Sequence, residues 1–171
     1  MSGAVSIRHA GPADLDFVVE LVNHEEVEPF LGLRRARDRT SIRAEIERTQ
    51  AEPDAFGRLI IEADGERAGL LGYKCVNPIH RIAEIEALAV HPDFRGRGIA
   101  GEAVRLLQRL LIFELGYHRL ELECYSFNER AIRHAERAGF IREGVKRKAY
   151  WRHGEWVDGV FFGLVADDVG G

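Results

Sequence analysis

The segment Arg95-Gly96-Arg97-Gly98-Ile99-Ala100 has the makings of an anion cradle. It follows an apolar, strand-like run, Ala87-Leu88-Ala89-Val90, and opens a long amphipathic helix beginning near Ile99. The first amides of a helix lack partners within it, and the macrodipole puts partial positive charge at the same end. Glycines let the main chain come close to an anion, while Arg95 and Arg97 add mobile positive charge. The ligand expected for such a turn is a pyrophosphate.

This stretch resembles the coenzyme A loop of the GCN5-related N-acetyltransferases (GNAT), whose pattern is Gln/Arg-x-x-Gly-x-Gly/Ala. Arg95, Gly98 and Ala100 fill its three fixed positions, and Leu88-Ala89-Val90-His91-Pro92 resembles the strand and exit before it. A second element, Asn128-Glu-Arg-Ala131-Ile-Arg-His-Ala135-Glu-Arg-Ala-Gly139-Phe140, is similar to the family's Asn-x-x-Ala helix ending in Gly-Phe. One glycine-rich turn is a weak signal, whereas two ordered motifs joined by a helix and a strand make a strong one. The resemblance spans residues 83 to 165 and is nearest to the ribosomal-protein N-terminal and spermidine acetyltransferase-like branch; the closing hairpin, Tyr150 to Leu164 with Gly154 and Asp158, resembles that of the ribosomal-protein N-terminal acetyltransferases.

The resemblance implies an acetyl-coenzyme A-dependent N-acetyltransferase that moves an acetyl group directly to a primary amine in a ternary complex. It implies main-chain contacts to the cofactor from Leu88, Ala89 and Val90, and cradle contacts from Arg95, Gly96, Arg97, Gly98, Ile99 and Ala100. Asn128 has two readings, a helix cap and a ligand for the pantetheine arm. Such a reaction needs a base to free the amine, donors for the oxyanion and an acid for the departing thiolate. Glu84 and Glu86 are the base candidates; two apart, they share one side of a regular strand. Glu86 has the better spacing by analogy, and a solvated strand face is the plain alternative for both. Many relatives carry a tyrosine where Ala135 stands, and alanine offers no proton. Tyr125, Ser126, His134 and Tyr150 are the neighbouring candidates for the acid.

The elements that must position these groups follow from periodicity. Val5 and Ile7 alternate as a first strand; Gly11-Pro12 opens a helix with Leu15, Val18, Val19 and Val22 on one face. Residues 23 to 40 are polar and irregular, and a second helix runs from Thr40 or Ser41 to about Ala51. Leu59-Ile60-Ile61 and Leu70-Leu71-Gly72-Tyr73 flank the turn signal Asp64-Gly65. Glu84 to Val90 begins in alternation and ends in four apolar residues, which fits a strand buried on both faces or a bulge. By resemblance, a bulge here splays this strand from the next. The helix from Gly98 to Leu115 carries a stripe of Ile99, Ala103, Leu107, Leu110 and Leu111, with Gly116 as its stop. A strand, Leu120 to Cys124, precedes a short helix, Glu129 to Ala138. Two strands, Ile141 to Trp151 and Trp156 to Val165, turn at His153-Gly154. The fold class is α/β of the α+β type: one GNAT domain over residues 1–171, with a mixed, mostly antiparallel central sheet flanked by helices and splayed in the middle.

Composition sets the remaining bounds. The 171 residues are 46% hydrophobic and 30% charged, as in an ordinary globular protein. A net charge of −4 argues against nucleic acid as a partner. Two cysteines, Cys75 and Cys124, are too few for a disulfide framework or a zinc motif, and His80, His91 and His134 lack metal-ligand spacing. No run reads as a signal peptide or a membrane span, so the expected location is cytoplasmic. Glu25, Glu26 and Glu28 in the segment Asn23 to Arg39 are placed to attract a cationic acceptor or to pair with Arg34, Arg35, Arg37 and Arg39. Lys146-Arg147-Lys148 reads as a solvated face. Tyr150, Trp151 and Trp156 read as packing residues, with a homodimer face or an acceptor wall as further uses. Two competing functions fit less of the sequence. A non-catalytic acyl-coenzyme A-binding module takes Ala135 as lost chemistry, and a dinucleotide site fails on glycine spacing and the lack of an N-terminal βαβ unit.

Overall fold

The computed structural model describes residues 3–31 and 38–170. Its elements in chain order are β1 (Val5–His9), α1 (Leu15–Asn23), α2 (Arg39–Ala51), β2 (Phe56–Ala63), β3 (Glu66–Asn77), β4 (Ile82–Val90), α3 (Ile99–Arg109), β5 (Arg119–Tyr125), α4 (Glu129–Arg137), β6 (Ile141–Arg152) and β7 (Glu155–Val165). The strands form one sheet in the order β1-β2-β3-β4-β5-β7-β6. Every neighbouring pair is antiparallel except β4 and β5, which run parallel. This is the mixed, mostly antiparallel α+β fold expected.

The sheet separates two cores. Leu59, Ile61, Leu71, Ala83, Ile85 and Leu120 pack with Ile99, Ala103 and Leu107 of α3 on one face. Ile60, Leu70 and Ala89 pack with Leu15, Val18 and Val22 of α1 and with Ile42 and Ile46 of α2 on the other. Strand periodicity of two sends alternate residues to opposite faces, so each central strand serves both cores.

The β2–β3 turn falls on Asp64 and Gly65, with φ values of 53° and 82°. That is the primed turn the sequence signals, and the strands on either side run longer than the apolar cores that announced them. Helix α3 differs from expectation at its end. After Arg109 the chain widens into a π turn, Leu110–Glu114, with Leu115 N–H donating to the Leu110 carbonyl at 3.0 Å. Gly116, at φ 73°, ends it as anticipated.

The feature that shapes the site lies at β4. Gly72 is opposite Glu86 and Leu70 is opposite Ala89, so Ala87 and Leu88 together face Leu71. Ala87 has φ 69°, a left-handed conformation that costs an alanine about 1–2 kcal/mol. The extra residue is a β-bulge, and it reverses the alternation: Ala83 and Ile85 face the α3 core before it, Leu88 and Val90 after it. On the other side of β4, pairing with β5 stops at Glu84 and Glu121. Of the two readings open for the apolar run, the bulge is the one present, and the strands part beyond it.

Candidate active site

A cleft of about 1530 Å³ occupies the gap between β4 and β5. Glu84, Glu86, Leu88, Ala89 and Val90 line one wall, and Arg95, Gly96, Gly98, Ile99 and Ala100 line its end. Asn128 and Ala135 of the α4 region also face it. All but one of the base and cofactor-binding residues singled out in the sequence therefore line a single cavity, as do Tyr125, His134 and Tyr150 but not Ser126 among the acid candidates. Arg97 is the exception. Its guanidinium sits 5.2 Å from the Phe94 ring centroid and donates to the Asp93 carbonyl at 3.3 Å, and it is not among the cleft residues.

The cradle at α3 is built from backbone. Gly96 and Gly98 adopt φ of 78° and 72°, a region that L side chains enter at a cost. A Cβ at either position would meet nothing within 4 Å, so the space in front of the turn is open. No side chain caps the first turn of α3, whereas Asp38 caps α2 and Asn128 caps α4. Of the four α-helices, α2 and α4 begin on a capping side chain and α1 and α3 do not, and it is α3 whose first turn lines the cleft. An extended anion such as the pyrophosphate of coenzyme A fits this opening.

The arginine of the cradle is already tethered. Arg95 donates to the Glu26 carbonyl at 2.9 Å and lies 3.6 Å from the Glu26 carboxylate. The loop after α1 is thereby joined to the cradle, and Glu26, Val27, Phe30 and Leu31 line the same cleft. The buried Arg152 ties that loop to the closing hairpin, donating to the Pro29 carbonyl at 2.7 Å. Arg34, Arg35 and Arg37 lie outside the described residues, and Arg39 pairs with Asp16 at 2.6 Å.

On the sheet face opposite α3, four carboxylates straddle the gap. Glu84 and Glu86 come from β4, Glu121 and Glu123 from β5. Glu86 is gripped by the buried Arg58 at 2.8 Å, which also holds Glu45 of α2, and by Lys74 at 3.4 Å. Glu84 is held more loosely, 3.9 Å from Lys74. Burial pushes the Glu84 carboxyl above the usual carboxylate range, with Lys74 pulling down and Glu86, Glu123 and Glu121 adding to the rise. The expected pair of same-side carboxylates is present, and its members sit in unlike surroundings.

On the opposite wall sequence reasoning named Tyr125 and Tyr150 and missed Glu123 and its pairings. Glu123 accepts a hydrogen bond from Tyr150 Oη at 2.6 Å and another from Lys146 Nζ at 3.0 Å, and all three residues line the cleft. Lys146, Arg147 and Lys148 are all exposed, as expected of a solvated face, and Lys146 in addition reaches the cleft rim to pair with Glu123. The Tyr125 ring stacks on Phe127 at 5.3 Å and meets Tyr150 edge-on at 5.6 Å. Trp151 and Trp156 instead pair edge-to-face at 5.3 Å on the outside, and both stay more than half exposed. One signal was available: Gly159, inside β7, marks a close approach. A Cβ there would fall on the Glu123 carboxylate and within 2.8 Å of the Tyr150 ring.

A sheet split at its one parallel pair, a bulged strand beside the split and an uncapped helix behind a glycine turn define a GNAT-type acetyltransferase. The chain belongs to that family: residues 5–141 match the Acetyltransferase (GNAT) domain. It is 28% identical over 165 residues to the SPbeta prophage-derived uncharacterized N-acetyltransferase YokL of Bacillus subtilis, covering 96% of this chain and 91% of that one. It is 30% identical over 103 residues to the spermidine N(1)-acetyltransferase of Escherichia coli K12, a match spanning 60% of this chain and 55% of that protein. Among solved structures, the spermidine N-acetyltransferase of Vibrio cholerae in complex with coenzyme A and spermine superposes with a TM-score of 0.83 at 21% identity, over 96% of this chain and 97% of that one. RimL, a ribosomal-protein acetyltransferase solved with coenzyme A, gives 0.83 at 20% identity over 96% and 95% of the two chains. At these identities the structures speak for the fold. No helix among the described residues is long and apolar enough to cross a membrane.

Proposed function

We propose that this protein transfers the acetyl group of acetyl-coenzyme A to the primary amine of a cationic alkylamine, by direct attack in a ternary complex. One observation carries the reading: a single cleft joins the open amides of α3 and the unpaired edge of β4 to a face of carboxylates. The cofactor's pyrophosphate takes the Gly96–Ala100 cradle, and its pantetheine arm runs along Leu88, Ala89 and Val90 as an added strand. Amides near the bulge face the developing oxyanion.

The acceptor side favours an ammonium on an apolar stem. Glu84, Glu86 and Glu123 supply negative charge, and Phe30, Phe127 and Tyr125 supply aromatic surface for methylenes and for cation–π contact. Spermidine, the substrate in the names of several relatives, has this character, and a peptide N-terminus with a basic neighbour shares part of it. Glu84 is the base that frees the amine. Its raised affinity for protons and loose tether suit it to accept one, whereas Glu86 is anchored by Arg58 and Lys74 and serves to hold the charge of the site.

A thiol-release assay with acetyl-coenzyme A against polyamines, aminoglycosides, amino acids and peptide N-termini tests the proposal. Turnover is expected with polyamines first. Tight cofactor binding by calorimetry with no amine turned over would sink the catalytic reading in favour of a binding module.

A further inference from the structure

The transfer proposed above handles two protons, and Glu84 accounts for only one. An ammonium must lose its first proton to attack. After attack the nitrogen of the tetrahedral adduct still carries a proton in excess of the amide, and the departing coenzyme A thiolate needs one. The cleft offers few donors, and its two ammonium groups are paired, Lys74 with Glu86 and Lys146 with Glu123. Ala135 has none. Burial pushes the Cys124 thiol up to about 12, with Glu123 adding to the rise, so it holds its proton too firmly. Burial likewise disfavours a charged His134, and its Nε2 is buried without a partner. Tyr125 lines the cleft with little of its surface exposed and its ring stacked on Phe127, and Ser126 does not line the cleft.

Tyr150 remains, and its hydroxyl is already on a carboxylate. The 2.6 Å bond to Glu123 Oε1 is short and charge-assisted, and Lys146 occupies the other carboxylate oxygen at 3.0 Å. Gly159 leaves the gap in β7 over which both groups lie. Their wall faces Glu84 across the parting of β4 and β5, close enough for Glu123 to act on the Glu84 charge.

We infer that Glu123 and Tyr150 form a two-residue proton relay serving the acetyl transfer, a role that rests on the acetyltransferase reading above. Glu123 takes the proton from the adduct nitrogen, breaking N–H and forming O–H. The shared hydrogen bond then reverses: Glu123 donates to Tyr150 Oη while Tyr150 gives its own hydroxyl proton to the sulfur as the C–S bond breaks. One proton has moved from nitrogen to thiolate, and both side chains end as they began. No phenolate is formed, so no second negative charge arises beside Glu123. A phenol with an ordinary pKa of about 10 is close to a thiol's, which makes the last transfer nearly balanced.

The test is steady-state kinetics of Tyr150→Phe, Glu123→Gln and the double variant, with coenzyme A affinity by calorimetry and fold by circular dichroism. Each single change is expected to lower kcat about a hundredfold, the lower end for general acid–base groups. Coenzyme A affinity should stay within about twofold, and the double variant should be no worse than the poorer single, as for residues acting as a unit. Glu123→Asp, which keeps the carboxylate, should recover part of the rate and guards against a folding defect in Glu123→Gln. A Tyr150→Phe enzyme within about threefold of the parent, or losses that multiply in the double variant, overturns the relay while leaving the acetyltransferase intact. A parent protein that binds coenzyme A and acetylates no amine overturns both.

Discussion

The two walls of the cleft are made from different material. The β4 and α3 wall works through main chain: a bulge at Ala87 and Leu88, an edge left unpaired beyond Glu84, and a helix start that no side chain caps. The β5 and β6 wall works through side chains, with Glu123 of β5 joined to Tyr150 and Lys146 of β6 across β7, which pairs with both strands. Backbone groups are the same whatever the residue, so the first wall suits the constant partner, a cofactor. Side chains differ, so the second wall is where one member of a fold can be fitted to its own acceptor.

The sharpest way to break the contrast is to block the backbone wall. Gly98→Val places a β-branched side chain at φ 72° and over the open amides of α3. Coenzyme A affinity is expected to fall at least about a hundredfold, or roughly 2.8 kcal/mol at about 1.4 kcal/mol per decade. Circular dichroism should report a folded protein, since the strain is confined to one exposed turn. Unchanged affinity in calorimetry would remove the cradle from cofactor binding.

Glu84 is the point where the walls meet electrically. Glu84→Gln is expected to lower the rate about a hundredfold at neutral pH, with cofactor affinity unchanged. The acid limb of the parent's pH–rate profile should lie above the ordinary carboxylate range, because the protonated form is inactive and persists to higher pH. Stability should move the opposite way. A folded-state pKa raised above the unfolded one means that the native state binds more protons between the two, so stability falls as pH rises through that window. Above it the charged, partly buried carboxylate is a standing cost, and Glu84→Gln should raise the unfolding midpoint in neutral urea titrations. A variant that is both slower and less stable would assign Glu84 to structure.

Two glycines of β7 allow a matched test on the side-chain wall. Gly159 underlies Glu123 and Tyr150; Gly163, four residues on, underlies the ion pair of Arg119 and Glu143 at the outer end of the sheet. Alanine at either site must push aside the end of a side chain. Gly159→Ala should lower kcat about tenfold by displacing the relay, while Gly163→Ala shifts a solvent-screened pair and leaves kcat within about twofold. Equal effects on kcat would mean that β7 simply resents an added methyl group.

The same division explains what could be read from the residues alone. Backbone devices leave local signatures: the glycine turn before Ile99, Asp64-Gly65 at a hairpin, and the loss of alternation after Glu86 that marks the bulge. Tertiary pairings do not. Glu123 sits in an alternating strand where any solvated glutamate would look the same. Tyr150 reaches it only because β6 slips register between Lys146 and Tyr150 against β7. Arg58 hides in an apolar strand, and nothing near it announces the partners Glu45 and Glu86 from two other elements. Glu86 ranks above Glu84 by spacing, and the neighbours that set the two apart, Arg58 and Lys74, lie far away in the chain. The π turn at Leu110–Glu114 likewise has no sequence mark, because its wider bonds are set by packing.

Asn128 gives the finest comparison, because it stands on the side-chain plan at a helix start while lining the cofactor's cleft. Its Oδ1 accepts from the Ala131 amide at 3.2 Å, the bond that α3 lacks. Asn128→Ala should cost about 1 kcal/mol of stability, seen as a lower urea midpoint with an unchanged slope. Asn128→Asp separates the cap from any ligand role. A carboxylate caps as well as an amide and also suits the positive end of α4, so stability should be kept. It removes the amide N–H groups and sets a negative charge beside the path of an anionic cofactor, so coenzyme A affinity should fall although the helix does not weaken. Should the aspartate variant bind coenzyme A as tightly as the parent, Asn128 is a cap alone, and α4 belongs to the framework of the cleft rather than to its binding surface.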